Sequence, residues 1–296
     1  MLGVVNLDKP VGPTSHDMVG MMRRLTGTRR IGHAGTLDPL ASGVLPILVG
    51  SATRFSAELS GGRKRYDAVI RLGARSATDD AQGPIEPAVG PLPDEASAGA
   101  ALATFVGTQR QVPPAFSARK VGGRVAHRAA RAGEPIELPP RSVTICALEL
   151  LEYRLDGDGV DLRVDLRCGA GTYVRALARD LGEWLGCGGY LRALRRTEAA
   201  GLSVDGSATP QRLEQLAGEG RLGDVILPVG DLLPLPRLVL DADAAHAFRN
   251  GLARPLTEPQ RPGRTAVFHG AELIGIGLVS ANRLQPEKVL PREVAG

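Results

Sequence analysis

The 296-residue chain reads as an α+β protein: a mixed, mainly antiparallel sheet flanked by helices, then a small, mostly β C-terminal domain. Three observations predict this. Val160, Leu162, Val164, Leu166 and Cys168 alternate with Asp161, Arg163, Asp165 and Arg167, a period-2 pattern with one apolar face and one charged face left to solvent. Residues 172–185 place Val174, Leu177, Ala178, Leu181 and Leu185 at helical spacing. Residues 228–236 hold three prolines and separate this body from a tail with strand-like runs. Helices interspersed with alternating strands indicate the α+β class.

The remaining elements follow in chain order. Gly3 to Leu7 reads as a short strand, and Ser15 as the N-cap of a helix through about Leu25. Met18, Met21, Met22 and Leu25 form its apolar stripe, which belongs to the core. Val44 to Val49 is an apolar run expected as a buried strand, and Tyr66 to Leu72 alternates. Residues 94–106 read as a helix. Beyond the prolines, Ala242 to Arg249 is helical in pattern. Arg264–Phe268 and Glu272–Val279 are strand-like, with His269-Gly270-Ala271 able to turn a hairpin between them. The length exceeds that of a usual single domain, so a large domain (1–230) and a small one (235–296) are expected. There is no internal repeat.

Composition narrows the function. No apolar run is long enough to cross a bilayer, and Asp8, Lys9, His16 and Asp17 argue against a signal peptide. Cys146, Cys168 and Cys187 lie about twenty residues apart without a C-x-x-C pair, so neither a disulfide framework nor a zinc site is expected. A reducing cytoplasm is the corresponding location. Net charge is only +4, but it is unevenly spread. Residues 96–133 contain no acid, yet hold Arg110, Arg119, Lys120, Arg124, Arg128 and Arg131. Arg23, Arg24, Arg29, Arg30 and Arg63, Lys64, Arg65 form two more clusters. Concentrated basic surface on a near-neutral protein suits a localised phosphate-binding face. Aromatic residues make up 3% of the chain, which disfavours binding by repeated base stacking.

Gly32 to Pro46 contains one carboxylate, Asp38, followed by Pro39 and set among glycines 32, 35 and 43, with His33 five residues upstream. Proline biases Asp38 toward extended torsions, and glycines let backbone and ligand approach closely. Two readings follow from the local pattern. Asp38 is either a turn aspartate bonded to its own backbone or an acid held at the mouth of a cleft.

The segment resembles the nucleophile motif of the TruB family of tRNA pseudouridine synthases, and further similar segments follow the family's order. They are Asp8-Lys9-Pro10-Val11-Gly12-Pro13-Thr14-Ser15-His16, then Lys64-Arg65-Tyr66, then Leu72-Gly73 with Thr78-Asp79-Asp80-Ala81-Gln82-Gly83. Next come Gln111 through Gly123, Gly171-Thr172-Tyr173-Val174-Arg175 and Leu194-Arg195-Arg196. The resemblance covers roughly residues 3–200. It implies the pseudouridine synthase fold with a PUA-like tail, and isomerisation of uridine 55 in the tRNA T loop without cofactor or metal.

Residue by residue, the resemblance implies Asp38 as nucleophile and Arg175 as its ionic partner. Tyr66 would stack on the target base as a candidate acid–base group, Leu194 would line the uracil pocket, and Asp80 would organise the cleft through basic partners. His33 would fill the space left by the flipped base. Pro113 to Arg131, within an insertion at about 108–141, would clasp RNA with Arg119, Lys120, Arg124 and Arg128. The tail would reach toward the acceptor end, and the protein would act as a monomer. Arg179 is read as surface. Two departures stand out: Phe116 replaces a usual tyrosine, and Gly169-Ala170 replaces a Ser-Lys or Ser-Ser pair. Attack at C1′, attack at C6 and elimination through C2′ all stay open. Rival readings are the catalytic subunit of a guide-RNA-directed particle, a tRNA-binding or folding module, and an unrelated hydrolase.

Overall fold

The computed structural model describes residues 2–117, 120–134 and 136–291. Strand β1 (Gly3–Lys9) leads through helix α1 (Ser15–Thr26) to β2 (Ile31–His33) and β3 (Ala41–Val49). Helix α2 (Ser56–Ser60) precedes β4 (Lys64–Leu72), and a small hairpin follows, β5 (Ala74–Ser76) with β6 (Ile85–Pro87). Helix α3 (Glu95–Thr104) and β7 (Gly107–Gln111) lead to the insertion, which holds β8 (Lys120–Val121), β9 (Arg124–Val125) and α4 (Ala126–Arg131). The long antiparallel pair β10 (Arg141–Asp156) and β11 (Gly159–Cys168) then runs into α5 (Val174–Trp184) and β12 (Gly189–Ala199). Short β13 (Leu202–Ser203), α6 (Pro210–Gly218) and β14 (Ile226–Leu227) close the large body.

The main sheet runs in the order β14-β1-β3-β12-β4-β11-β10-β7. Its ladders are antiparallel except β3–β12, which is parallel at Leu194↔Ala41 through Arg196↔Gly43. That join sets the segment before Ala41 beside the Leu194–Arg196 segment. Gly43 makes it possible: its φ is +101°, and a Cβ there would lie 2.2 Å from the Arg196 carbonyl oxygen.

The two ends of the sheet are buried differently. Val5, Leu7, Leu45, Ile47 and Val49 pack with Met18, Met21 and Met22 of α1, while Val4, Val44 and Leu48 face the opposite way into a second core. The apolar run 44–49 is thus a strand covered on both sides. On β4 and β11 the alternation holds, but the charged face is not simply solvated. Asp161 and Asp165 are 3% and 8% exposed. Asp161 is held by Arg71 at 3.5 Å, Arg154 at 2.9 Å and Arg192, while Asp165 contacts Arg65 at 2.7 Å. Long arginine side chains from neighbouring strands lie over the shorter carboxylates and cover them.

The helix starting near Ser15 is capped one residue earlier than expected. Thr14 is the N-cap and forms a reciprocal capping box with Asp17, which frees Ser15 for another task.

The tail forms its own five-stranded sheet. Strands β15 (Arg237–Leu240), β16 (Arg254–Pro255), β17 (Gly263–His269), β18 (Glu272–Ser280) and β19 (Arg283–Val289) are ordered β15-β17-β18-β19-β16, with α7 (Ala242–Arg249) between β15 and β16. The hairpin expected around Gly270 joins β17 to β18. Ala266, Phe268, Leu273, Ile276 and Leu290 share one buried cluster with Val4, Val44, Leu48 and Phe55. At the margin of this contact the buried Glu58 carboxylate accepts from Arg264 at 2.6 Å and Lys288 at 2.7 Å.

Candidate active site

The Asp38 loop hangs between β2 and β3 and is tied down almost wholly through its backbone. Ser15 Oγ, buried, donates to the Leu37 carbonyl at 2.9 Å and accepts from the Leu37 amide at 2.8 Å. The Gly12 amide donates to the Pro39 carbonyl at 2.8 Å, and the Asp38 carbonyl accepts from the Ala41 amide at 3.0 Å. From β12, the Arg196 guanidinium donates to Val44 O at 2.7 Å, Gly35 O at 3.0 Å and Thr36 O at 3.4 Å. With its backbone secured by two distant segments, the loop leaves the Asp38 side chain free to point elsewhere, and it is 38% exposed.

What it meets is Arg175, in the first turn of α5. Gln111 of β7 fixes the start of this helix, accepting from the Tyr173 amide at 2.9 Å and donating to its carbonyl at 3.1 Å. Arg175 is 5% exposed and donates to Thr78 O at 3.1 Å and Phe116 O at 3.0 Å. Its Nε lies 2.9 Å from Asp38 Oδ2 and 3.6 Å from Asp80 Oδ2. These Nε contacts are ionic, off the line of a proper hydrogen bond. Asp80, 3% exposed, accepts from Thr78 Oγ1 at 2.6 Å and the Gln82 amide at 3.0 Å. One buried guanidinium therefore serves two carboxylates. Asp80 is buried and hydrogen-bonded by its neighbours, whereas Asp38 is 38% exposed and lines a cavity.

That cavity has a volume of about 320 Å³, and Asp38, Lys64, Tyr66, Arg175, Leu194 and Arg196 are among its lining residues. Its size lies at the lower end for small-molecule sites. Burial pushes the Tyr66 phenol upward, so Tyr66 presents a neutral hydroxyl at neutral pH. A carboxylate, a neutral phenol, an apolar floor and fixed cations together suit reversible bond-breaking at a polar ring, with the carboxylate as nucleophile or base.

Residues 23–174 match the TruB family pseudouridylate synthase N-terminal domain, and residues 175–234 match the tRNA pseudouridylate synthase B C-terminal domain. The chain belongs to the TruB family of pseudouridylate synthases. It is 40% identical to the tRNA pseudouridine synthase B of Ralstonia nicotianae over 97% of this chain and 94% of that one. A relative of the same name from Corynebacterium aurimucosum is 47% identical over 72% of each chain. Among solved structures, a Cbf5-Nop10-Gar1 complex superposes with a TM-score of 0.75 at 27% identity, covering 98% of this chain and 86% of that chain. An H/ACA RNP bound to a substrate RNA containing 2′-deoxyuridine gives 0.74 at 25%, again covering 98% and 86%. The protein is accordingly an isomerase. The border between the two family matches falls between Val174 and Arg175, inside α5, so it is not a boundary in the fold.

The TruB site gathers Asp38, Tyr66, Asp80, Arg175 and Leu194, which are scattered over some 150 residues of sequence. His33 stands apart from the cavity wall: it sits half-buried on β2, its Nδ1 buried without a hydrogen bond among the described residues. Burial, and then the Arg196 charge, push its imidazole down, so it is neutral at pH 7. In the insertion, Arg119 and the side chain of Lys120 lie outside the described residues. Arg128 is exposed on α4, and Arg124 makes an exposed pair with Glu134 at 2.6 Å. Arg179 is not a surface residue: it joins Asp79 and Asp180 to the Val112 carbonyl, at 2.9, 2.7 and 2.9 Å. Phe116 uses its carbonyl toward Arg175, a contact that does not depend on the residue's side chain.

Sequence reasoning placed none of Ser15 (read as a helix cap), Lys64 (read as part of a basic cluster), Arg196 or Lys9 at this site, although all four fall inside the recognised segments. Lys9 is fully buried beneath the opening loop, its Nζ donating to Pro10 O at 2.8 Å and Pro13 O at 2.7 Å. Burial lowers it from its ordinary 10.5 to about 8, against the opposing pull of Asp38. Between these values the unfolded chain holds more protons than the folded one, so stability rises as pH climbs from about 8 to 10.5. Urea midpoints of the protein and Lys9→Met, measured at pH 7.5 and 10, should show the wild type gaining on the variant at the higher pH. A constant gap would refute the buried, proton-poor lysine.

Proposed function

We propose that the protein converts uridine 55 in the T loop of tRNA to pseudouridine, with Asp38 as the nucleophile. The observation that carries this is the 2.9 Å contact between Asp38 and Arg175 beside a cavity lined by Tyr66 and Leu194. The reaction breaks the N1–C1′ bond and rejoins the same base through C5, so it needs a carboxylate, a proton acceptor and a pocket that retains the base, but no redox partner. Arg175 orients the carboxylate and faces it with a fixed positive charge. Tyr66 stacks on the uracil, and Leu194 closes its edge. Entry requires extrusion of the nucleotide, which costs a few kcal/mol, and His33 is the side chain we assign to the vacated position.

The tRNA substrate is supported by relatives named tRNA pseudouridine synthase B at about 40% identity, whereas the structures containing Cbf5 are 26–27% identical. We assign residues 1–230 to catalysis and 235–296 to a PUA-like RNA-binding domain that reaches toward the acceptor end. The Arg124- and Arg128-bearing insertion clasps the stem-loop, and the protein works as a monomer.

Incubating the purified protein with an unmodified tRNA transcript, without ATP, metal or guide RNA, should give pseudouridine at one T-loop position only. No product, or product at other sites alone, would reject the reading. Affinity for that transcript should fall steeply with salt, by about 50-fold between 50 and 200 mM if four phosphates are contacted. A flat response would remove the basic face from the argument.

A further inference from the structure

Lys64 and Arg196 both line the Asp38 cavity, and among the described residues neither forms an ion pair with a carboxylate. Backbone carbonyls hold them instead. Lys64 Nζ donates to Ser60 O at 2.8 Å and Gly62 O at 2.9 Å, while Arg196, 1% exposed, binds the carbonyls of Val44, Gly35 and Thr36. Carbonyl oxygens orient a cation without cancelling its charge. The two side chains converge at Gly35: a Cβ there would lie 3.5 Å from Arg196 Nη1 and 3.6 Å from Lys64 Cε. Nearby titratable groups supply no hidden counter-charge. Burial pushes the Cys168 thiol up to about 11 and the Tyr66 phenol upward, so both are neutral at pH 7, and Asp38 already faces Arg175. Burying an unpaired cation is costly, and here the fold sets a buried Arg196 beside a half-buried Lys64.

We propose that Lys64 and Arg196 stabilise the negative charge of the uracil ring while it is detached from the ribose. The proposal rests on the reaction assigned above. When N1–C1′ breaks, the bonding pair leaves with the base, giving an anion spread over N1, O2 and O4. An Asp38 oxygen supplies a new pair to C1′, or a C2′ proton departs in the elimination route. The anion then returns a pair to C1′ through C5, displacing the Asp38 oxygen or, in the elimination route, as C2′ regains its proton; C5 then loses its proton, and N1 gains one. Cations already fixed by carbonyls and partly withdrawn from water meet this transient charge with little reorganisation.

The test compares transcripts carrying uridine or 5-fluorouridine at the target position, since fluorine makes the leaving base a more stable anion. Single-turnover conversion of the N-nucleoside and tRNA affinity are measured for wild type, Lys64→Met and Lys64→Arg. Lys64→Gln takes the place of Lys64→Met if that variant does not fold. The neutral variant should slow uridine conversion about 100-fold but 5-fluorouridine conversion less than about 10-fold, with Lys64→Arg restoring most of the loss. Equal slowing of both substrates would overturn the proposal, as would an unchanged rate with weakened, less salt-sensitive tRNA binding, the mark of a phosphate contact. A wild-type protein inactive on the uridine transcript would reject the function itself. An active one whose variant ignores fluorine would reject only the role of these cations.

Discussion

Asp38→Asn should lower single-turnover conversion by more than about 10⁴-fold while leaving tRNA affinity essentially unchanged. The amide occupies the same volume but carries no charge and no nucleophilic oxygen. The loop should keep its shape, because its ties to Ser15, Gly12 and Arg196 all run through backbone atoms. Arg175 retains Asp80 as an ionic partner, so the substitution does not strand a cation. Rate and affinity measured side by side decide the matter. Retained activity would exclude Asp38 as nucleophile, and lost affinity would make it a binding residue.

Removing Arg175 should have the largest effect on stability. Arg175→Met leaves the buried Asp80 carboxylate facing Asp38 with no cation between them, and deprives the Thr78 and Phe116 carbonyls of their donor. Breaking a buried pair from one side costs about 3–5 kcal/mol. The urea midpoint should drop accordingly with the slope of unfolding unchanged. Adding Asp80→Asn to Arg175→Met should recover part of the loss, because the stranded charge is then gone. Arg175→Lys keeps the charge but not the planar fork, and should fall between. An Arg175→Met protein as stable as wild type would mean that the carboxylates do not depend on this residue.

The sequence revealed most where a long period met a single environment. Tyr66–Leu72, residues 160–168, the α5 stripe and the tail hairpin were all legible because alternation or helical spacing matched one buried face. It misled where burial is shared between strands. The charged face of β11 looked solvated, yet arginines from β4, β10 and β12 cover its aspartates, and no single segment contains that information. Arg179 failed for a related reason, and Arg196 went without a role: an arginine on a helix or strand shows nothing of its remote carbonyl and carboxylate partners. Ser15 looked like a cap because the residue type suits one, but Thr14 with Asp17 took that role. The site itself was legible through ordered motifs rather than spacing. Asp38 alone favoured a turn aspartate.

The core in which Phe268, Leu273 and Ile276 meet Val4, Val44 and Leu48 has a bearing on descent. The strand that follows the Asp38 loop is the same strand whose back supports the tail. Phe268 shares its buried cluster with Val44 and Leu48, and Val44 also offers the carbonyl that seats Arg196. The tail is therefore not an accessory that lineages can exchange freely. Selection on the reaction and selection on the tail act through one shared set of side chains, and the two halves should drift together.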